Sequence, residues 1–346
     1  MWLELLYICV GITLAQQDCR EDGQLDSSSP DRTDFRAPGE DGYADLVDVA
    51  RFPIGHLDGE ECKRLIAEYQ ARWNATGSVD LVGFIRSEVR DQMARETMDL
   101  PSFERQQWIP YMSPRAVRVN MSTLASTHPL RRQWQTHVRA VAGVLIPGSS
   151  LLRQIYESPT VARFFARIIG VRRLYQYDDE FQKLNVHYQL DGDERGWHYD
   201  GSDFVATLML QQGSEGGEFE FAPFIRGAST GGQEEEPYDE RFERVQELFD
   251  GTYTGEVLTS RVEAGTVNLF NGRRTLHRVR GVRGPRKRSI AILSYDTNPA
   301  CEQSAPAAAL NVESYGGQVE PLQTRLRERR REACGASLRP EFMGEL

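Results

Sequence analysis

Residues 183–221 read KLNVHYQLDGDERGWHYDGSDFVATLMLQQGSEGGEFEF. The runs Lys183–Leu190, Gly196–Tyr199, Phe204–Gln211 and Gly217–Phe221 are short and rich in Val, Thr, Tyr and Phe. Clusters of Asp, Gly and Ser separate them, as turns separate strands. The same texture extends outward, to Val171–Tyr177 before this stretch and to Thr266–Phe270, Thr275–Val279 and Arg288–Tyr295 after it. A succession of short strands joined by turns predicts an antiparallel jelly roll or barrel. One break interrupts it. Gly227–Gly232 is a Gly/Ser/Thr loop, and Glu234–Phe249 is an acidic helical pattern closed by Asp250-Gly251, so residues 227–255 read as a surface insertion.

Upstream of Gly170 the pattern is helical. Asp58-Gly59-Glu60-Glu61 supplies an N-cap and first-turn acids, and Leu65, Ile66 and Tyr69 follow at helical spacing, predicting a helix over 59–73. Residues 82–97 read as a second helix. Residues 149–169 read as one or two more, with Leu151, Leu152, Ile155, Tyr156, Val161, Phe164 and Phe165 as the buried stripe. Val47–Phe52 reads as a short strand closed by Pro53. Gln16–Tyr43 has the composition of a disordered acidic linker. The expected organisation is therefore 1–15 as a leader, 16–43 as linker, 44–170 as the mainly helical part of the catalytic domain, 171–300 as the strand-rich core and 301–346 as a C-terminal extension. Within that extension, Leu322–Arg331 reads as a basic helix with a solvated face.

The chain has 346 residues, 40% of them hydrophobic, enough for one substantial core, and a formal net charge of −10. That charge disfavours a nucleic-acid or anionic-membrane binder. Its five cysteines are scattered without a C-x-x-C pair, which argues against a zinc ribbon, a thioredoxin-like site or a disulfide framework. Cys301 and Cys334 are the one pair considered for a bridge, and two free thiols are the simpler reading. The apolar run Leu5–Ala15 is too short to span a bilayer. Thr13-Leu14-Ala15 suits a signal-peptidase cut, whereas Glu4 and the lack of a preceding Lys or Arg argue the other way. Secretory and cytoplasmic readings both stay open. The sequons Asn74-Ala75-Thr76 and Asn120-Met121-Ser122 matter only in the first.

Chemistry concentrates at Trp197-His198-Tyr199-Asp200. Strand residues i and i+2 share a face, so His198 and Asp200 can present an imidazole nitrogen and a carboxylate oxygen to one point. His277, in Thr275-Leu276-His277-Arg278-Val279, lies on another predicted strand and supplies a third ligand. Two imidazoles and one carboxylate are the ligand set of non-haem Fe(II) and leave three positions open, enough for a bidentate 2-oxo acid and O2. H-x-D alone is weak, because chance examples are common. Arg288 strengthens it: at the start of the next apolar strand, a guanidinium there suits the distal carboxylate of 2-oxoglutarate. Arg286 and Lys287 are adjacent competitors for that role. A plain basic turn over Arg283–Arg288 is the bland alternative. Asn185 and Tyr188 are further candidates for the 2-oxoglutarate pocket. Ser294 shares the strand parity of Arg288, Gly216-Gly217 reads as a tight turn or close approach, and Trp197 reads as packing. Arg195 and Asp179 flank the site and can pair with a charged substrate.

Taken together, Leu184-Asn185-Val186, Gly196 to Asp200, Val205 to Gln211, Gly216 to Phe221, Leu269 to Arg273, Leu276 to Val279, Arg288-Ser289 and Leu293 to Asp296 resemble the Fe(II)/2-oxoglutarate oxygenase superfamily. Within it the chain most resembles the branch of amino-acid hydroxylases and carrier-independent amino-acid halogenases. The resemblance covers roughly residues 46 to 300 and is specific as a whole, though no single motif is. It implies an α+β chain with a double-stranded β-helix (jelly-roll) core and N-terminal flanking helices. It implies that His198, Asp200 and His277 are the catalytic metal ligands, that Arg288 binds 2-oxoglutarate, and that O2 is the second co-substrate. Halogenases of this branch replace the metal-binding carboxylate with Gly or Ala; this chain has Asp200, so the resemblance implies hydroxylation. The expected partner is a small-molecule substrate such as an amino acid, or a peptide, with no nucleic acid and no membrane span. Three rivals are kept: a peptidyl, prolyl-type hydroxylase, a non-catalytic jelly-roll binding module, and a cupin-like metal enzyme without 2-oxoglutarate, which usually supplies three or four His. The complete ligand set argues against the second.

Overall fold

The computed structural model describes residues 41–111, 120–177, 182–201, 204–228, 238–260 and 262–297. Six α-helices lie among them: α1 (Tyr43–Leu46), α2 (Glu60–Thr76), α3 (Ser87–Met98), α4 (Leu151–Glu157), α5 (Pro159–Ile169) and α6 (Phe242–Asp250). Local chemistry sets their starts. Glu60 and Glu61 occupy the first turn of α2, where the helix dipole favours negative charge. Ser150 and Ser158 cap α4 and α5, their Oγ atoms accepting from the backbone N–H of Arg153 (3.1 Å) and Val161 (3.2 Å). Val47–Phe52 departs from expectation. Only Val47 makes a β-bridge, to Ile85, and the chain then turns as the Arg51 and Phe52 N–H groups donate to the Asp48 carbonyl.

The sheet has 12 strands. In chain order they are β1 (Ser78–Leu81), β2 (Phe103–Pro110), β3 (Gln133–Val141), β4 (Tyr175–Gln176), β5 (Leu184–Gln189), β6 (Arg195–His198), β7 (Phe204–Gln211), β8 (Phe219–Ala222), β9 (Leu258–Ser260), β10 (Val267–Asn271), β11 (Leu276–Val279) and β12 (Arg288–Asp296). Hydrogen bonding runs β1-β10-β7-β12-β5-β3-β6-β11-β8-β9, with β2 on β3 and β4 on β12. Every pairing is antiparallel. The long path folds on itself at β3–β6, joined only through Thr136 and Arg195. A major layer from β1 to β3 thus faces a minor layer from β6 to β9. Phe219 of the minor layer meets Phe270 of the major one at 5.2 Å between ring centroids. This is the double-stranded β-helix, an α+β jelly roll with flanking helices.

Strand alternation divides the major layer. Leu184, Val186, Ala206, Leu208, Leu210, Val267, Leu269, Ala291 and Leu293 point outward and join one buried cluster with Ile66, Trp73, Phe84, Phe164 and Phe165 of the N-terminal segment. Burying each Leu, Ile, Val or Phe among these contributes about 1.5–3 kcal/mol, so the helices are held by the sheet rather than by helix propensity alone. The opposite, inward parity lines the space between the layers.

Most strand runs read from the sequence are present. Val171–Tyr177 is reduced to Tyr175–Gln176, and β1, β2, β3 and β9 were not anticipated. The segment 44–170, expected to be mainly helical, also carries β1, β2 and β3, and β3 links the two layers. Burial in β2 strictly alternates at first, yet its residues are Gln-, Arg- and Glu-rich, so composition hides the strand. No helix among the described residues is long and apolar enough to cross a membrane. Residues 1–40, Cys301, Cys334 and Leu322–Arg331 lie outside the described residues, as does the start of the expected helix 234–249, which is observed from Phe242.

Candidate metal centre

His198 ends β6 and His277 sits on β11, directly opposite it across the strand pair. Asp200 follows β6 at the mouth. One ligand atom from each of these three residues lies within 4.8 Å of the others. The His198 Nε2 is 3.6 Å from Asp200 Oδ1, and the His277 Nε2 is 3.5 Å from Asp200 Oδ2. Both imidazole Nδ1 atoms lie 2.8 Å from a backbone carbonyl, that of Gly196 for His198 and of Thr275 for His277. A carbonyl only accepts, so each Nδ1 carries the hydrogen and each Nε2 keeps its lone pair, directed at the common point. The donor set therefore fits a divalent metal of the non-haem iron type.

The surroundings set the charges. Burial, with Arg195 and His277 adding to it, pushes His198 well below the ordinary histidine range, so its ring is neutral. Burial opposes charge on Asp200, but His277, His198 and Arg195 outweigh it and hold the carboxyl below the usual Asp range. Space is tight as well. A Cβ on Gly272 would lie 2.6 Å from the Asp200 Cβ, so only glycine fits beside this carboxylate. The Asp200 N–H donates to the Gly272 carbonyl (3.0 Å), and Arg273 Nε donates to the Gly201 carbonyl (2.7 Å).

Arg195 reaches this site through a bulge. His277 pairs with His198 but Val279 pairs with Arg195, so β6 spends one more residue than β11 between the two pairs. Arg195 and His198 thereby share the inward face despite odd spacing, and Arg195 Nη2 comes within 3.7 Å of Asp200 Oδ1. Trp197 is turned outward, under the Arg278 guanidinium at 4.8 Å, in a packing role.

Arg288 begins β12 on the inward face, buried at 4% exposure, and its Nη1 donates to Gln189 Oε1 at 2.8 Å. Burial pushes its pKa down to about 10, with Glu218 opposing, so it stays charged at neutral pH. Gly217, at φ 73°, makes room for it: a Cβ there would meet the Arg288 Cδ at 2.7 Å. The two competitors point elsewhere. Arg286 Nη2 donates to the Gly213 carbonyl (3.2 Å), and Lys287 Nζ sits 4.4 Å over the Tyr188 ring.

Asn185 shares the inward face with His187 and Gln189. Tyr188 does not, and its assignment to the 2-oxoglutarate pocket is corrected. Its ring belongs to the outer core and its hydroxyl donates to the Thr97 carbonyl, because residues of odd separation on one strand face opposite ways. Ser294 is tied to the Gln182 carbonyl (3.2 Å). Asp179 lies outside the described residues. The sequence reading missed Gln189, His187, Thr136 and Arg105. Parity with Asn185 reveals the first two. Arg105 faces inward by alternation with the exposed Glu104, Gln106 and Trp108 of β2. Burial, then Arg195, Arg105 and Arg288, push His187 down to about 3, which marks it as a neutral ring among three guanidinium groups. Asn185 Oδ1, Gln189 Nε2, Arg288 Nε and Thr136 Oγ1 are buried and have no hydrogen-bond partner among the described residues. Unmade bonds at buried polar atoms are costly unless a ligand completes them.

None of the curated proteins compared with this chain matches it. Among solved structures it is similar to an oxidoreductase of the 2OG-Fe(II) oxygenase family from Burkholderia pseudomallei, at 17% identity and a TM-score of 0.43, over 67% of this chain and 91% of that one. It is similar to HygX from Streptomyces hygroscopicus, solved with nickel, 2-oxoglutarate and hygromycin B bound, at 13% identity and a TM-score of 0.40, over 67% and 88% of the two chains. A Pseudomonas putida prolyl-4-hydroxylase matches at 11% identity and a TM-score of 0.36, over 67% of this chain and 100% of that one. The family model described as Halogenase D matches residues 62–311. Because that match runs from α2 past the last strand of the sheet, the chain belongs to the Halogenase D family.

Proposed function

We propose that this oxygenase hydroxylates an unactivated C–H bond of a free amino acid or a similar small anionic molecule. The observation that carries the reading is Asp200, whose carboxylate oxygens lie 3.6 and 3.5 Å from the two imidazole Nε2 atoms. A carboxylate on the metal takes the position a halide needs. This favours hydroxylation over halogenation, although the family description names a halogenase.

Under this reading His198, Asp200 and His277 hold Fe(II). Bound iron and 2-oxoglutarate supply the activation of O2 that breaks the C–H bond. The protein's part is positioning, charge and water exclusion. Arg288 anchors the distal carboxylate of 2-oxoglutarate, with Gln189 fixing the plane of the guanidinium. Asn185 lies on the same inward face and completes the polar wall. Arg195 and Arg105, both near enough to His187 to favour its neutral ring, give the substrate end of the cavity a positive potential. A guanidinium carries five donors, so Arg195 can serve Asp200 and a substrate carboxylate together. That arrangement supports a small anionic substrate.

The test is an anaerobic titration with Fe(II) and 2-oxoglutarate, read by the visible charge-transfer band of the chelate, followed by a succinate-coupled screen of amino acids and prolyl peptides. The expected result is a band in the wild type and turnover with a free amino acid. Turnover with peptides alone would overturn the small-molecule assignment, and a chlorinated product would overturn hydroxylation. Folded protein that binds Fe(II) without ever giving the band would remove 2-oxoglutarate from the reading.

A further inference from the structure

We propose that Arg226 is a positioning residue for the metal centre: it ties the segment carrying Asp200 to the segment carrying His277. The inference rests on the assignment of those residues as metal ligands. Arg226 follows β8 and is buried, at 5% exposure. Its Nη1 donates to the Arg273 carbonyl at 2.7 Å, and its backbone N–H donates to the Arg274 carbonyl at 3.3 Å. Both bonds grip the turn between β10 and β11, which leads directly into His277. The guanidinium carbon also stacks 3.8 Å from the ring centroid of Tyr199, the residue immediately before Asp200. Its Nε donates to Glu240 Oε2 at 2.8 Å, both side chains being buried.

One planar group thus bridges two chain segments that share no covalent neighbourhood. Asp200 follows its strand and lacks the ladder pairing that fixes His198 on one side and His277 on both. Its backbone is held by Gly272, by Arg273 acting on Gly201, and by Tyr199 stacked on Arg226. Two of these three holds run through the turn that Arg226 grips. Glu240 gives the 227–255 insertion a part in this, because it fixes the guanidinium plane from outside the sheet. Lysine carries the charge but not the flat face or the divergent donors, so it cannot stack on Tyr199 while meeting Glu240 and the Arg273 carbonyl together.

The experiment is an anaerobic titration of full-length protein with Co(II), read by its visible d–d absorption, with thermal melting of each variant. Arg226→Met is combined with Glu240→Gln so that no buried carboxylate is left without its cation. Arg139→Met serves as the structural control, since Arg139 pairs with Asp193 (2.7 Å) and Glu104 (2.9 Å) on the outer face of β3. The expected result is about a 10–100-fold loss of Co(II) affinity and an altered spectrum in the double variant, the usual range for outer partners of metal ligands. Arg226→Lys should fall between it and the wild type. Arg139→Met should lower the melting temperature and leave affinity and spectrum unchanged. A cooperatively melting double variant with the wild-type affinity and spectrum overturns the inference. If the double variant does not melt cooperatively, Arg226→Lys is judged by the same criterion. Failure of the wild type itself to bind Co(II) overturns the ligand assignment and this inference with it.

Discussion

The two faces of the major layer are built from the same strands and differ in almost every other respect. The outward face is apolar, and its helices bury it; the polar atom of Tyr188 that falls there finds the Thr97 carbonyl. The inward face carries Asn185, His187, Gln189 and Arg288 and leaves four buried polar atoms there and on β3 without partners among the described residues. Alternation lets one strand serve both purposes, one side stabilising the fold and the other holding polar side chains towards a ligand. The comparison teaches that the faces should be separable by mutation.

The largest separation is expected from His198→Ala, which should abolish Fe(II) binding while leaving a cooperative melt, since the change lies on the inward side; loss of the folded baseline in circular dichroism would join the two faces. Phe164→Ala should do the reverse. Phe164 is fully buried and stacks on Phe84 at 6.0 Å, so its loss should cost about 3–5 kcal/mol in urea melts with Fe(II) affinity retained. Next comes Arg288→Ala, expected to weaken 2-oxoglutarate binding about 100-fold, roughly 3 kcal/mol, with metal binding intact. Unchanged 2-oxoglutarate affinity would remove Arg288 as the anchor.

The histidines of the inward face should also show in acid. His187, pushed down to about 3, stays neutral in the fold, whereas the unfolded chain takes up its proton near the ordinary value of about 6.5. Below that pH the unfolded state binds more protons, so stability falls as pH drops from about 6.5 toward 3, by up to roughly 1.4 kcal/mol per pH unit. Urea melts between those limits should be steeper in pH for the wild type than for His187→Gln. The finest test compares neighbours on β5. Asn185→Ala should reduce 2-oxoglutarate affinity by about 1 kcal/mol, while Tyr188→Phe should cost a similar amount of stability and leave that affinity alone. Equal effects on ligand binding would mean that the strand does not alternate as described.

The fold was legible wherever strands are apolar and turns are marked. Apart from the three-residue β9, the strands from Leu184 to Tyr295 needed only alternation and Gly/Asp punctuation. β2 and β3 escaped because their strands, Phe103–Pro110 and Gln133–Val141, carry so much Gln, Arg and His that no hydrophobic period stands out. The grouping of His198, Asp200 and His277 was legible from spacing plus the resemblance, since those side chains share one point by parity. Tyr188 was misassigned against a rule already available, because Asn185 and Tyr188 cannot share a face. Arg195 was flagged only by its position in the sequence. Its inward direction depends on an extra residue in β6, which pairing registers reveal and composition does not. Arg226 gave no local signal at all, as its partners come from residues 199, 240 and 273.

The extra residue in β6 also separates two properties that would otherwise change together. On the proposed reading, the charge preference of the cavity hangs on the direction of Arg195 and the metal on the direction of His198; the bulge lies between them. Deleting one residue there would reverse Arg195 and leave His198 opposite His277. Such a deletion is a change of narrow effect: on the proposed reading, it would exchange an acid-seeking cavity for a neutral one in a single genetic event and leave the metal ligands in place.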